Sequence, residues 1–242
     1  MSSGAALSVI TPVSRPRNLR QVGSCIPLGA EWIVVTDGHM EIPHGVRTHT
    51  LISGPHTASY GDVQRRIGLS KATRPFVYFL DDDNLMLPRL PDILIPFLDS
   101  CGASGVMFGL LAHYFGTANL WPAPLSVQKS RVDTAMFFGR RDLALKLKFG
   151  DEEGDYGWPD LPGERHADFV FLSTFDAAYS LKRLPMFLGF HNGLDYITQF
   201  TPTLLLSCAA SPVAFNETLE DILNRALLAR IVPPWYSSEG VS

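Results

Sequence analysis

The 242-residue chain has few cysteines, no excess of positive charge and no long uninterrupted hydrophobic segment. Its three cysteines are widely spaced and form no C-x-x-C pair, which argues against a disulfide framework and predicts reduced thiols in a cytoplasmic protein. The formal net charge of −4 gives no electrostatic reason to expect a nucleic acid partner. The sequence therefore predicts a globular protein whose partners are not nucleic acids.

Two segments bear on membrane attachment. Residues 1–17 have no basic region ahead of their brief apolar stretch, so we expect no signal peptide. Residues 105–125 are strongly apolar but are interrupted by His113, Asn119 and two prolines, which predicts a buried strand and a loop rather than a membrane span. Peripheral association with a membrane stays open at this point.

The pattern of apolar runs predicts an α/β domain. Short runs rich in Val, Ile and Phe, bounded by Gly, Pro and Asp, are typical of buried parallel strands, and here they alternate with helical patterns. Predicted strands cover 6–13, 31–38, 48–54, 76–80, 106–115, 132–140 and 185–193. Predicted helices cover 59–73, 90–102, 141–149, 166–181 and 217–230, and 15–26 is predicted to form a short helix or a turn. A long polar loop with four glycines, 150–166, has the composition of a functional or mobile segment.

The segment FVYFLDDDN (76–84) places three aspartates directly behind a buried strand. Adjacent carboxylates repel one another, so Asp81, Asp82 and Asp83 together are costly unless a cation lies between them. A divalent metal site is one interpretation, and a solvated turn in which Asn84 helps the chain to bend is the other.

Three predicted strands end in residues suited to ligand binding. These residues are Pro12, Asp37 and the aspartate triplet, by which we mean Asp81, Asp82 and Asp83. In a parallel sheet, ligands bind beyond the carboxyl ends of the strands. We therefore expect these three strand ends to meet at one ligand site.

In this order the motifs resemble glycosyltransferases of the GT-A fold. The segment SVITPVSRP resembles their opening strand and nucleotide loop, and GDVQRRIGLSKA resembles the helix before the metal motif. VYFLDDDN is similar to the D-x-D motif of the animal glucuronyltransferases. The resemblance, good over about residues 7 to 88, implies an α/β GT-A fold: a mostly parallel, Rossmann-like central sheet with helices on both faces.

The resemblance also implies how the chain is organised and what it does. A single domain, 1–242, would bind the nucleotide sugar and metal through about 5–100 and the acceptor through about 101–215, with a C-terminal helix and tail at 216–242. The donor would be a nucleotide-diphosphate sugar, such as a UDP- or GDP-sugar. The acceptor would be a hydroxyl of a glycan, a glycolipid or another lipid-linked molecule, and the anomeric configuration would be inverted.

The donor site implied by the resemblance is acidic and needs a metal. Mn²⁺ or Mg²⁺ would neutralise the leaving diphosphate, and such hard cations prefer carboxylate oxygens. Asp83 would be the direct ligand, with Asp81 near the ribose and metal, Asp82 in support and His191 as a third ligand. The residues implied for nucleotide binding are Thr11, Pro12, Arg15, Asp37 and Arg65, together with Asp81 and Asp82.

The acceptor hydroxyl needs a base. In the family this base closes an E-D motif at the start of a helix that follows a flexible loop, and Asp168 matches that aspartate, although Ala167 stands where Glu is usual. Glu164 is the nearest rival, and we expect the glycine-containing segment 150–165 to close over the donor as a lid.

Two alternatives share the same sheet. A sugar nucleotidyltransferase would carry a glycine-rich, arginine-ended loop after the first strand, whereas this chain has TPVSRPRN there. A catalytically inactive GT-A-like binding protein also stays open. A dinucleotide-binding Rossmann domain does not fit, because no G-x-G-x-x-G follows the first strand.

Overall fold

The computed structural model of this protein describes residues 3–47, 49–56, 61–114, 117–121, 127, 133–147, 157–158, 161–165 and 167–191. The strands are β1 (Leu7–Val13), β2 (Glu31–Asp37), β3 (Thr50–Gly54), β4 (Phe76–Phe79), β5 (Leu85–Met86), β6 (Gly105–Tyr114), β7 (Thr117–Trp121), β8 (Phe137–Arg140), β9 (Gly157–Trp158), β10 (Leu161–Arg165) and β11 (Leu181–His191). The α-helices are α1 (Leu19–Cys25), α2 (Asp62–Lys71), α3 (Leu90–Cys101), α4 (Arg141–Ala144) and α5 (Ala167–Ala178).

Nine of the strands form one sheet in the order β3-β2-β1-β4-β8-β6-β11-β5, with β7 paired to β6. Strands β1, β2, β3 and β4 are mutually parallel. Strand β8 is antiparallel to both β4 and β6, which makes β6, and β11 beside it, point the same way as β4. Only β5, β7 and β8 run in the opposite direction. The predicted α/β class with a mostly parallel sheet is confirmed.

Helices pack on both faces of the sheet. Gly23 of α1 lies against the ring of Trp32, whereas Gly68 of α2 lies against Val35. Successive residues of a strand point to opposite faces, so positions 32 and 35 of β2 face opposite sides. The connections agree with this, because β1 to β2 and β3 to β4 cross the sheet in opposite directions and right-handed crossovers then place their helices on opposite faces.

Burial explains why the central strands read as continuous apolar runs. All seven residues of β1 and all four of β4 are buried, because each strand has a neighbour on both sides and is covered on both faces. The expectation of full burial is wrong for β3, which pairs only with β2 and has Leu51 at 49% exposure. An edge strand lacks the cover of a second neighbour.

The second half differs more from the predicted elements. The predicted strand 132–140 contains a 3-10 turn, Thr134–Met136, before β8 begins, and helix α5 ends at Ala178, so that β11 starts four residues before the predicted 185. Within the predicted loop 150–166, β9 and β10 form an antiparallel pair. The predicted helix 217–230 lies outside the described residues. Among the residues that the structure does describe, no helix is both long and apolar enough to cross a membrane.

Candidate functional site

The ends of β1 and β4 bring the aspartate triplet against the loop after β1. These strands are adjacent and parallel, and beyond β4 the Leu80 N–H still donates to the Ile10 carbonyl at 2.9 Å. Because Ile10 is paired with Phe79, the three aspartates lie alongside the last residues of β1 and the loop that follows it. We call this end of the sheet, where β1, β2 and β4 finish, the carboxyl end.

Asp82 holds the loop after β1 in place. Its side chain is only 2% exposed and accepts hydrogen bonds from the backbone N–H groups of Ser14, at 2.7 Å, and Arg15, at 2.5 Å. The Arg15 guanidinium adds two more, from Nε at 3.0 Å and Nη2 at 2.8 Å. The Ser14 hydroxyl donates as well, at 3.2 Å, and these five donors on one carboxylate make Asp82 a structural anchor of the predicted nucleotide loop.

Asp83 shares the same arginine. Arg15 Nη2 lies 2.7 Å from Asp83 Oδ2, so a single guanidinium bridges Asp82 and Asp83. The Asp83 side chain is 7% exposed and that of Arg15 is 34% exposed. Arg15, predicted to bind the nucleotide, is therefore the cation that offsets two of the three adjacent carboxylates in this structure.

Asp81 is bound by a buried arginine from α2. Arg65 Nη2 lies 2.5 Å from Asp81 Oδ1, while Nη1 lies 3.3 Å from Asp62 and 3.8 Å from Asp168 Oδ1. One guanidinium thus joins a carboxylate after β4 to a carboxylate at the start of α5. Although burial lowers the pKa of Arg65, the surrounding aspartates, which include Asp133, raise it well above its ordinary value and keep the side chain charged.

The two carboxylates joined by Arg65 are hard to ionise together. Burial raises the pKa of Asp81 to about 7; Arg65 opposes this, and Asp133, Asp83 and Asp82 raise it further. Burial also raises the pKa of Asp168 to about 7, against Arg65 and with help from Asp133 and Asp81. The side chains of Asp81 and Asp168 are still 21% and 30% exposed, so a ligand can reach both.

A histidine–aspartate pair, His191 and Asp133, lies near Arg65 and Asp81. His191 Nε2 at the end of β11 is 3.1 Å from Asp133 Oδ2, and the other oxygen of Asp133 accepts the Ala135 N–H at 2.7 Å. Burial alone would lower the pKa of His191, but the hydrogen bond and charge of Asp133 outweigh it and raise that pKa. Burial alone would raise the pKa of Asp133. The hydrogen bond and charge of His191, together with the charge of Arg65, outweigh burial and lower that pKa.

Sequence reasoning missed Asp133. The residue was assigned to the interior of a predicted strand, whereas it caps the 3-10 turn Thr134–Met136. The available signal was an aspartate followed by threonine, a pairing that favours a capped turn over a strand. Its contact with His191 could not be read locally, because the two residues belong to different strand ends.

Asp37 ends β2 beside β1. Its Oδ1 accepts a hydrogen bond from Gln64 Nε2 at 2.9 Å, and its Oδ2 lies 3.2 Å from His56 Nδ1. The Asp37 side chain is 21% exposed, so it is open to a ligand at the carboxyl end of the sheet. Gln64 and Arg65 are consecutive on α2, so this one helix contacts the ends of both β2 and β4.

Two predicted nucleotide contacts are interior residues. Thr11 is fully buried, and its hydroxyl accepts a hydrogen bond from the Trp32 indole at 2.9 Å. Pro12 is also buried and packs against Gly61, the residue before α2, whose φ of +92° favours glycine. Because β1 is buried on both faces, the Thr11 side chain faces the core, and the contact of Thr11 with the nucleotide stays a prediction.

The two candidate bases are placed differently. Asp168 lies at the start of α5 and pairs with Arg65, which also binds Asp81. Glu164 lies on β10, a strand paired with β9 outside the main sheet. Of the predicted lid, 150–165, the structure describes only 157–158 and 161–165.

No preformed metal site exists among the described residues, in that no three His, Cys, Asp or Glu side chains group as metal ligands. The predicted ligands Asp83, Asp81 and His191 each contact another side chain of the protein, respectively Arg15, Arg65 and Asp133. The chemistry of the donor set nevertheless fits a hard divalent cation. Burial is the main cause of the raised pKa of Asp81, and the charges of Asp133, Asp83 and Asp82 raise it further; a bound metal would relieve this second contribution.

A mostly parallel sheet with its acidic cluster beyond the carboxyl ends of β1 and β4 is the arrangement of the GT-A glycosyltransferase fold, and comparison with known proteins confirms that fold. No family model matches the sequence, and no curated protein sequence matches it. S. aureus TarS 1–349 in complex with UDP superposes with a TM-score of 0.53 at 13% identity, covering 93% of this chain and 72% of that one.

A second solved structure is the Mycobacterium tuberculosis glucosyl-3-phosphoglycerate synthase in complex with Mn²⁺, UDP-glucose and phosphoglyceric acid. It matches with a TM-score of 0.52 at 15% identity, covering 87% of this chain and 80% of that one. Identities this low establish the shared fold, and the chemistry has to be argued from the residues of this chain.

Proposed function

We propose that this protein is a metal-dependent glycosyltransferase that transfers a sugar from a nucleoside diphosphate donor to an acceptor hydroxyl, with inversion at the anomeric carbon. The observation that carries the proposal is the Arg65 guanidinium, which contacts Asp81 on the donor side and approaches Asp168 at the start of α5. This contact supports a single cleft in which a candidate base faces the candidate donor site.

The donor end of this cleft would be built from the aspartate triplet. Asp83 and Asp81, with His191, would hold Mn²⁺ or Mg²⁺, while Asp82 keeps the loop after β1 in place. A bound divalent cation would supply charge neutralisation for the departing diphosphate. Arg15, which is partly exposed, is suited to turn from Asp83 toward the diphosphate once a metal balances that carboxylate.

The base would be Asp168. Its carboxylate would take the proton of the acceptor hydroxyl, the hydroxyl oxygen would bond to the anomeric carbon, and the diphosphate oxygen would leave with the electrons of the broken bond. A pKa near 7 suits a group that must accept a proton at neutral pH, and the side chain is exposed enough to be reached.

The donor base and the acceptor belong to the proposal as well. Both structural neighbours cited above were solved with a uridine nucleotide, which favours a UDP-sugar over a GDP-sugar for this chain. A glycan, a glycolipid or another lipid-linked molecule is the acceptor class that we propose, with peripheral contact to a membrane if the acceptor is a lipid.

One observation favours a second candidate. The predicted metal ligands all contact other side chains of the protein, and Asp83 is bridged to Asp82 by Arg15. An inactive GT-A-like domain that binds partners would need no metal and could keep such pairs permanently. The two candidates differ in whether a metal and a nucleotide displace Arg15 from Asp83.

Calorimetric titration of UDP and GDP, with and without Mn²⁺, tests the proposal. We expect binding of one nucleotide that requires Mn²⁺ and that is lost in Asp83→Ala, with the fold intact by circular dichroism. Asp99→Ala is the matched control, because Asp99 is 61% exposed and pairs with Arg140 on the surface. Metal-independent binding, or an Asp83→Ala variant that binds like the parent, would favour the inactive domain.

A further inference from the structure

We propose that Gln64 is a positioning residue for nucleobase recognition, acting by fixing the carboxylate of Asp37. The inference rests on the proposed function, because it takes Asp37 as the residue that reads the base or ribose of the donor. Gln64 lies on α2, is 1% exposed and donates from Nε2 to Asp37 Oδ1 at 2.9 Å.

The amide of Gln64 can adopt only one orientation. Its Nε2 also donates to the Pro55 carbonyl at 3.2 Å, so two acceptors face the same nitrogen. Exchanging nitrogen and oxygen would set Oε1 against two other oxygens and would lose both hydrogen bonds. The side chain also packs against Gly54, with its Cγ 3.7 Å from where a glycine Cβ would stand.

This arrangement carries a polar cost. Oε1 of Gln64 is buried and accepts no hydrogen bond from the described residues. A buried acceptor without a donor is unfavourable, and an apolar side chain of the same length would avoid the penalty. The two hydrogen bonds that Nε2 donates, to Asp37 and to Pro55, are the contacts that an apolar side chain at this position would lose.

The consequence falls on Asp37. Because Oδ1 accepts a hydrogen bond from a buried amide, rotation of the carboxylate is restricted, and Oδ2 lies next to the exposed ring of His56. An ionised carboxylate only accepts hydrogen bonds, so a fixed one selects ligands that place an N–H or O–H donor at that point. Uracil and guanine ring N–H groups and ribose hydroxyls are such donors.

His56 provides a matched control. It contacts the other oxygen of the same carboxylate at 3.2 Å, but its side chain is 85% exposed. Contacts at such exposed positions contribute little, because solvent competes and the side chain is mobile. These two contacts to the Asp37 carboxylate differ in burial. We therefore expect loss of the buried Gln64 contact to weaken nucleotide binding, and loss of the exposed His56 contact to have little effect.

The experiment measures binding of UDP, GDP and inorganic pyrophosphate by calorimetry, all with Mn²⁺, to the parent, Gln64→Met, His56→Ala, Asp37→Asn and the Gln64→Met/Asp37→Asn double variant. Methionine keeps the length of the side chain and removes its donors. We expect Gln64→Met to weaken binding of the preferred nucleotide about tenfold and to leave binding of pyrophosphate within about twofold, because pyrophosphate has no base or ribose that Asp37 could bind. His56→Ala should stay within about twofold of the parent for all three ligands.

The double variant separates positioning from independent binding. If Gln64 acts through Asp37, the double variant should bind the nucleotide no more weakly than Asp37→Asn alone. Additive losses, or equal losses for nucleotide and pyrophosphate in Gln64→Met, would overturn the inference. So would an unaffected Gln64→Met beside a weakened Asp37→Asn, a result that leaves the proposed function intact. A parent protein that binds neither nucleotide would overturn both.

Discussion

Acidic side chains lie at both ends of the parallel strands, and the two ends differ in what surrounds them. At the amino end, Glu31 accepts hydrogen bonds from the Ser8 hydroxyl and, at 2.8 and 2.9 Å, from the backbone and hydroxyl of Thr73. At the carboxyl end, Asp81 is held by Arg65 but shares its surroundings with other aspartates.

The pKa shifts of these two acids have opposite signs. Burial raises the pKa of Glu31, but the hydrogen bonds from Ser8 and Thr73 outweigh it and lower the pKa overall. Burial and like charges raise the pKa of Asp81 to about 7. A buried carboxylate that accepts hydrogen bonds from neutral donors stabilises the fold. A buried carboxylate surrounded by other carboxylates is instead suited to bind a proton or a further cation, and such groups are typical of functional sites.

The largest effect is expected for Asp168→Asn. If Asp168 is the base, the variant should keep donor binding and lose about 10² to 10⁴ in turnover, the usual worth of a positioned general base. The measurement is transfer from the preferred nucleotide sugar, together with the anomeric configuration of the product. Glu164→Gln is the comparison and should cost far less. An active Asp168→Asn variant beside an inactive Glu164→Gln variant, or a retained anomeric configuration, would overturn the assignment of Asp168 and point to a residue of segment 150–165.

Arg65→Met should destabilise the fold more than any single change at the amino end. Its removal leaves Asp81, Asp62 and Asp168 without their buried counter-charge, which typically costs about 3–5 kcal/mol. Urea unfolding followed by circular dichroism measures the loss. Arg140→Met is the control and should change stability by less than about 1 kcal/mol, since Arg140 pairs with Asp99 at the surface. Equal losses of stability in Arg65→Met and Arg140→Met would show that the buried ion pairs of Arg65 stabilise the fold no more than a surface pair does.

Asp133→Asn tests the histidine–aspartate pair. If His191 is a metal ligand, loss of the carboxylate that orients it should weaken Mn²⁺-dependent nucleotide binding by about 10- to 100-fold. Asparagine still fits the site and can accept the Ala135 N–H, so the fold should survive. Calorimetric titration of Mn²⁺ in the presence of nucleotide measures the change. Unaltered affinity would leave His191 and Asp133 a structural pair.

Glu31→Gln should have the smallest effect and a distinct pH dependence. Because the folded-state pKa of Glu31 is depressed, its contribution to stability is present above the ordinary value of 4.5 and is lost as the pH falls through the lower folded-state pKa. The parent should therefore exceed Glu31→Gln by about 0.5–1 kcal/mol at neutral pH, a figure reduced for partial exposure, and the difference should vanish in acid. If the stability difference between the parent and Glu31→Gln stays constant from neutral pH to acid pH, the hydrogen bonds to Glu31 do not depend on its charge.

Much of the first hundred residues could be predicted, because local pattern and tertiary role coincide there. Strands β1, β2 and β4 are continuous apolar runs with buried neighbours, and α3 spans Leu90–Cys101, within one residue of its predicted end, with Gly102 in the left-handed conformation after it. The predicted cluster of strand ends follows from a parallel sheet. The edge position of β3 did not follow, since no local pattern reveals how many neighbours a strand has.

The candidate site was less predictable. Asp83, Arg65 and Asp168 were identified from motif order, but their contacts were not. The contact of the Thr11 hydroxyl with the Trp32 indole could not be predicted, because a hydroxyl at a strand end looks the same in sequence whether it points to a ligand or to an indole. Asp133 was missed because it caps the turn before β8, whereas its partner His191 lies far away in sequence at the end of β11.

The sequence by itself determined the alternation of strands and helices, the buried strand that ends in three aspartates, and the acidic character of one end of the sheet, because apolar periodicity and charge are local properties. Only the tertiary structure decided that Arg15 bridges Asp82 and Asp83, that Arg65 joins Asp81 to Asp168, and that Gln64 holds Asp37. These contacts depend on the order and direction of strands in the sheet. That order follows from how the whole chain buries its apolar surface, and no short segment encodes it.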